Sequence, residues 1–485
     1  MKYYTKTHFV IIFLLLFSLG CEKEMTIETI TLSEEQFEFK KIGGSQVFSI
    51  NTNADSWSID IPQNANWISV DRSKGSSGNT FINISASKNP SSEIRTATIL
   101  LTTKNGGNKS ISVTQLGSTF ESFNISPAAP DKEGMGSTAM ELASKMKFGW
   151  NAGNTMEAIG GITAWGNPEI TNELIKTVKA NGFNAIRIPC SWDQYADKNT
   201  AKISESWLNK VKEVVQYCVQ NDVYVILNIH WDGGWLENNV TPEKQDDNIE
   251  KQTAYWEQIA THLRDFDEHL LFAGTNEPNV DNAQQMKVLD AYHQAFVDAV
   301  RATGGKNAYR VLVVQGPSTD IDKTNDLMNT WPKDSEPNRL MAEVHFYTPW
   351  NFCGLEKDES WGNQFFFWGK NNHSVSNPSR NPTWGEEATV DQLFSLMKKK
   401  FIDKNIPVIL GEFNAVRRLQ LTGQDLALHI KSRNYYLEYV TKKCLENHFI
   451  PFYWDTGVFE TGSGIFDRRT YEITDKEALK ALTNG

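Results

Sequence analysis

Basic residues, cysteines and metal-binding motifs are all scarce in this sequence, and each shortage removes a class of function. Forty-eight lysines and arginines stand against 59 aspartates and glutamates, a formal net charge of −11. A nucleic-acid partner needs a basic face to meet its phosphates, so none is expected. Only five cysteines occur in 485 residues. Four of them, Cys190, Cys218, Cys353 and Cys444, show no CxxC or finger spacing and read as packed free thiols, with no pairing legible. The nine histidines form no HExxH pattern, so neither a metal nor another cofactor is expected. Long apolar runs are missing too: the stretch Phe9 to Leu19 is too short to span a bilayer comfortably.

That stretch follows Lys2 and Lys6 and fits the core of a signal peptide. The Leu19-Gly20-Cys21 that closes it resembles a bacterial lipoprotein cleavage site. The resemblance implies a signal peptide over 1–20, a lipidated Cys21, a short tether over 21–25, and a place in the bacterial cell envelope. There the protein would be anchored to the outer membrane, on its inner side or at the cell surface, without spanning it. An ordinary secretory signal with an incidental cysteine is the plainer alternative.

Hydrophobic residues at 40% and aromatics at 11% mark a folded protein. Residues 26–117 alternate apolar and polar positions in short runs, among them Val47 to Ile50, Phe81 to Ile84, Thr98 to Leu101 and Ile111 to Val113. This is the spacing of a small immunoglobulin-like β-sandwich, with a hairpin turn at Asn105-Gly106-Gly107. The segment resembles a BACON domain in Trp67-Ile68-Ser69-Val70, Lys74-Gly75, Asn89-Pro90, Arg95 to Thr98 and Val113-Thr114-Gln115. Trp57 and Trp67 read as sandwich core. Residues 118–138, rich in Ser, Pro, Ala and Gly, read as a linker.

From 139 to 485 the texture becomes strand and helix in alternation. Eight apolar strands can be counted: Phe148 to Ala152, Phe183 to Ile188, Val223 to Ile229, Leu270 to Gly274, Arg310 to Gln315, Leu340 to Phe346, Pro407 to Gly411 and Ile450 to Trp454. Helical stripes separate most of them, including one expected to begin at Asn167-Pro168 and another through Trp207, Val211, Val214 and Cys218. Eight such units close as a TIM (β/α)8 barrel, an α/β fold.

A barrel of this kind works where its strands end. Polar groups gather there: Asn151, Arg187, His230, Asn276-Glu277, His345 with Tyr347, Glu412, and Trp454. Each alone has a dull explanation as a packed or salt-bridged residue. Carboxyls directly at strand ends are harder to dismiss, because burying them unpaired is costly.

Residues 140–480 resemble glycoside hydrolase family 5, the retaining β-glycanases, in Gly182 to Pro189, Asn276-Glu277-Pro278, His345-Phe346-Tyr347 and Gly411-Glu412-Phe413. Gly149 to Thr155 and Ala164 to Pro168 are similar to its endo-β-1,4-glucanase, lichenase and xyloglucanase subgroup. The resemblance implies Glu277 as acid/base and Glu412 as nucleophile. It also implies that Arg187 and Tyr347 orient Glu412, that Asn276 binds a sugar 2-hydroxyl, and that His345 sits beside Glu277. His230 and Trp454 would line the cleavage subsite. Asn151, Trp165, Trp231 and Trp350 are further candidates for substrate contact.

Between strands six and seven, Thr348 to Ile406 is a long aromatic insertion. Phe365 to Trp368 read as its core, and Trp350, Trp361 and Trp384 as possible sugar platforms. The expected protein is therefore a monomeric, lipid-anchored, retaining endo-β-1,4-glucanase acting on β-glucan. A xyloglucan-specific endoglucanase or a β-mannanase is the nearest alternative. A non-catalytic glycan-binding lipoprotein on the same fold is the alternative of another class, and retention of both glutamates argues against it.

Overall fold

Period-two alternation builds the first unit of the chain. In the computed structural model, which describes Met1 and residues 27–457 and 462–483, Gly44–Thr52 pairs antiparallel with Gly78–Ala86. Phe48, Ile50, Ile82 and Ile84 are buried on one face of that pair. Ile30–Leu32 and Ile68–Val70 complete this four-stranded sheet. The facing sheet runs Gln36–Phe39, Asn108–Gln115, Arg95–Thr103, Trp57–Asp60 and Lys74–Gly75. Its central hairpin turns through Gly106, whose φ of 91° suits glycine. Trp57 and Trp67 belong to the buried core of the sandwich.

The described residues up to Asn89, with Ile94–Leu116, form this compact unit; Pro90–Glu93 and everything from Gly117 onward form a second. The second unit is a closed parallel barrel of Gly149–Ala152, Ala185–Ile188, Tyr224–Asn228, Leu270–Ala273, Leu312–Gln315, Leu340–Phe346, Val408–Phe413 and Phe449–Asp455. All eight counted strands are present. Alternation again explains the interior: Ala185, Ile226, Leu271, Val313, Met341, Ile409 and Phe452 fill it, with Leu142 and Met146 joining the same cluster. Two residues further along their strands, Arg187, Asn228, Gln315 and Glu343 are also fully buried, so the core turns polar toward the C-terminal mouth. Side chains facing outward, such as Ile186, Val225 and Phe272, pack under the helices.

Three readings need correction. The helix expected from Asn167-Pro168 begins at Asn172, capped by the Thr171 side chain accepting from Leu174 N–H. Asn167 is buried instead, its amide donating to the carbonyls of Asn154 and Thr456. Residues 118–138 are not a free linker. The Glu257 carboxylate accepts from the Ser122 hydroxyl and the Phe123 N–H at 2.9 and 2.7 Å, Ala128 bridges Gly304, and Lys306 pairs with Asp131 at 2.8 Å. These residues form no helix or strand, but their backbone still finds partners. The third correction, at Asn151, belongs to the site below.

The insertion 348–406 holds the short helix Trp350–Cys353 and the barrel helix Glu387–Lys400. Phe365 to Trp368 are buried, while Trp350, Trp361 and Trp384 are exposed. The signal-peptide and Cys21 expectations lie outside the described residues. Among the described residues, no helix is long and apolar enough to cross a membrane.

Candidate active site

Arg187 is the hub of the barrel mouth. It is the third residue of strand two, wholly buried, and a buried guanidinium requires acceptors on every side. Nη1 donates to Glu412 Oε1 at 2.9 Å and to Asn151 Oδ1 at 3.1 Å. Nη2 donates to Asn276 Oδ1 at 2.7 Å, and Nε lies 2.9 Å from Glu343 Oε1. Burial lowers its proton affinity, but Glu343 and Glu412 outweigh that and raise it further. Arg187 is a permanent cation here.

A local irregularity turns Glu412 inward. The pairing of strands six and seven shifts between Val344 and His345, and His345 then stands opposite Glu412. Gly411 occupies the tight point, where a Cβ would fall 2.0 Å from Glu343 Oε1. Tyr347 donates its hydroxyl to Glu412 Oε2 at 2.9 Å, so each Glu412 carboxylate oxygen has a fixed donor. The Glu412 side chain is 7% exposed and that of Glu277 is 42% exposed. One oxygen of each lies within 4.8 Å of the other and of a His345 ring nitrogen.

His345 links the two carboxyls. Its Nδ1 is 2.6 Å from Glu277 Oε1 and its Nε2 is 3.2 Å from Glu343 Oε1. Burial would depress this imidazole, but Glu412, Glu277 and Glu343 together hold it up at about 10. It is therefore an imidazolium at neutral pH, donating from both nitrogens. Glu277, Glu343 and Glu412 thus face two cations, Arg187 and His345. Enclosure favours the neutral form of Glu277, but the His345 bond and charge outweigh it and hold the carboxyl below its usual range. Burial pushes Glu412 up, and His345 and Arg187 only partly offset this. The pair shares its protons as a unit. The spacing of Glu277, His345 and Glu412 would also suit a cation.

His230 stands apart from this network. Asn228 Oδ1 accepts from Cys190 N–H at 3.1 Å, so its Nδ2 faces His230 Nδ1 at 3.1 Å and the ring proton belongs on Nε2. Burial and the nearby Arg187 and His345 charges hold His230 far below its ordinary value, hence neutral. Its ring lies parallel to Trp454 with centroids 5.6 Å apart. Trp350 meets Tyr347 edge-on at 6.0 Å. Trp165 and Trp231 are exposed but have no bond to the carboxylate network, and Trp235 is packed under Lys251.

Asn151 is the third correction. The expectation of substrate contact fails because it is fully buried and both ends of its amide are used, Oδ1 by Arg187 and Nδ2 by the Gly411 carbonyl at 2.8 Å. Glu343 and Glu237 are the residues that sequence reading missed. Glu343 was findable, since it lies two positions before His345 on the same strand face. Glu237 carries no such signal, because it sits in the short turn Glu237–Asn239.

A closed parallel barrel with two carboxyls across its C-terminal mouth defines the class of barrel glycosidases. The family model described as cellulase (glycosyl hydrolase family 5) matches residues 143–460, and a viral BACON domain model matches residues 29–118. The chain belongs to glycosyl hydrolase family 5. It is 36% identical over 468 residues to the xyloglucan-specific endo-beta-1,4-glucanase BoGH5A of Bacteroides ovatus, covering 92% of this chain and 89% of that one. Its fold is similar to the Bacteroides ovatus GH5 xyloglucanase in complex with a XXXG heptasaccharide, with a TM-score of 0.70 at 34% identity, over 94% of this chain and 99% of the other. A second solved structure is XEG5B, a xyloglucan-specific β-1,4-glucanase from a ruminal metagenomic library. It is 38% identical with a TM-score of 0.67, covering 72% and 96% of the two chains. This protein is a glycoside hydrolase of the retaining endo-β-1,4-glucanase kind.

Proposed function

We propose that xyloglucan is the preferred substrate, cleaved in the backbone by double displacement with Glu412 as nucleophile and Glu277 as acid/base. The substrate reading is supported by the whole-chain similarity to a xyloglucan-specific relative, sandwich included. One observation carries the division of labour: Glu412 is enclosed and held by Arg187 and Tyr347, whereas Glu277 has the exposed side chain that a leaving oxygen can reach.

The steps follow from that geometry. Glu412 attacks the anomeric carbon, the C1–O bond to the leaving sugar breaks, and Glu277 delivers a proton to that oxygen. Before a sugar chain binds, the proton is held by His345, 2.6 Å from Glu277. A bound sugar chain displaces water from Glu277 and favours its neutral form, so the proton passes along that bond and leaves a neutral imidazole. Glu277 then deprotonates the water that cleaves the glycosyl ester, restoring both carboxyls. With one oxygen of each carboxyl within 4.8 Å of the other, the pair is closer than the roughly 6.5–9.5 Å of inverting sites and leaves no room for water in the first step.

Rates on tamarind xyloglucan, barley β-glucan, carboxymethylcellulose and glucomannan test the substrate. The highest kcat/KM on xyloglucan is expected, and a preference for glucomannan or an unsubstituted glucan would refute it. Glu277→Ala and Glu412→Ala should each lower turnover by at least about a hundredfold while glycan binding persists. We also propose a lipid anchor at Cys21, supported by the Leu19-Gly20-Cys21 pattern. Cys21→Ser should move the protein out of the membrane fraction, and unchanged fractionation would count against the anchor.

A further inference from the structure

Glu237 has no part in the chemistry above, yet it is a buried carboxyl directly behind the acid. A buried carboxylate must find donors, and Glu237 takes them from one place. Its Oε1 accepts the backbone N–H of Glu277 at 2.5 Å, and the Asn276 side chain also bonds to it. Its own carbonyl accepts Asn279 N–H at 3.0 Å, and the neighbouring Asn238 Oδ1 accepts from Asn279 Nδ2 at 2.7 Å.

These bonds sew the loop after strand three to the loop after strand four. Strand four ends at Ala273, so the sheet no longer fixes the peptide of Glu277. Arg187 already holds Asn276 Oδ1, and Glu237 holds the other end of that amide. Burial, with the charges of Glu277 and Glu412, pushes Glu237 up to about 7 against the pull of its N–H donors.

We propose that Glu237 is a positioning residue for the general acid: through the Glu277 N–H and the Asn276 amide it sets where the Glu277 carboxyl meets the leaving oxygen. The inference rests on Glu277 being that acid. Leaving-group dependence tests it, because a dinitrophenolate departs without a proton and a phenolate of high pKa does not.

The experiment measures kcat/KM on 2,4-dinitrophenyl and phenyl β-cellobiosides, which reports the steps up to aglycone release. Glu237→Ala should lose about 10- to 100-fold on the phenyl substrate and less than about threefold on the dinitrophenyl one. Glu237→Gln, which keeps one acceptor for the Glu277 N–H, should recover most of the loss; if the alanine variant does not fold, Glu237→Asp, whose carboxyl is one methylene short of that N–H, should show the same loss confined to the phenyl substrate. Equal losses on both substrates, or none on either, would overturn the inference. A Glu277→Gln variant without leaving-group dependence would overturn the acid assignment and this inference with it. A dependent Glu277→Gln beside an indifferent Glu237→Ala would overturn this inference alone.

Discussion

At the scale of single residues, the site balances three carboxyls against two buried cations, and His345 is the member whose charge depends on the others. Held up at about 10, it keeps a proton in the folded protein that an unfolded chain releases near 6.5. A group whose folded value is raised stabilises the fold fully below the unfolded value, and loses that contribution as pH rises toward the folded one. Melting temperature should therefore fall between pH 6.5 and 10 in the parent, and fall less steeply in His345→Gln. Parallel curves for the two proteins would exclude a raised His345. Glu343 shows why such a network is only half legible in sequence. Its place on the same face as His345 follows from alternation, but its ion pair with Arg187, far away in the chain, exists only once the barrel closes.

At the scale of elements, apolar runs of five to seven residues were enough to locate the strands, because a parallel barrel buries both faces of each. The irregularity at strand seven was not visible that way. A strict alternation from Ile409 aims position 411 inward, and the structure answers with glycine there and Glu412 beyond the shift. Gly411→Ala would place its Cβ 2.0 Å from Glu343 Oε1, so the carboxylate that balances Arg187 and His345 must move. The expected cost is about 1–3 kcal/mol of stability, with a fall in kcat larger than any change in KM. Denaturant unfolding and steady-state kinetics read both, and a variant matching the parent in each would show that Glu343 is free to give way. The helix at Asn172 teaches a related lesson. Asn167-Pro168 carries the residues of a helix start, but three backbone carbonyls around the first and eighth strand ends compete for the Asn167 amide and win it.

At the scale of the whole chain, composition reads residues 118–138 as a linker, whereas they pack within the unit whose main span begins at Gly117. Every residue of the carboxylate network lies in the unit that begins its main span at Gly117. A chain starting at Gly117 should therefore fold and retain hydrolysis near the parent rate on a soluble glucan. A chain starting at 139 has the same carboxylate network, yet it loses the acceptors and donors that Glu257, Gly304, Lys306 and Arg339 now engage, the last through the Met135 carbonyl at 3.1 Å. Three of these contacts involve a full charge, and the bonds at Arg339 and Glu257, each worth about 1.5–3 kcal/mol, would leave those buried groups without partners. The shorter chain should melt several degrees lower or fail to accumulate as soluble protein. Glu257→Ala in the full chain isolates one part of that effect, with an expected loss of about 2–3 kcal/mol and unchanged kcat, since Glu257 touches none of the site residues described above. Equal melting temperatures for the chains starting at 117 and 139 would mean that this segment only covers the barrel and does not hold it.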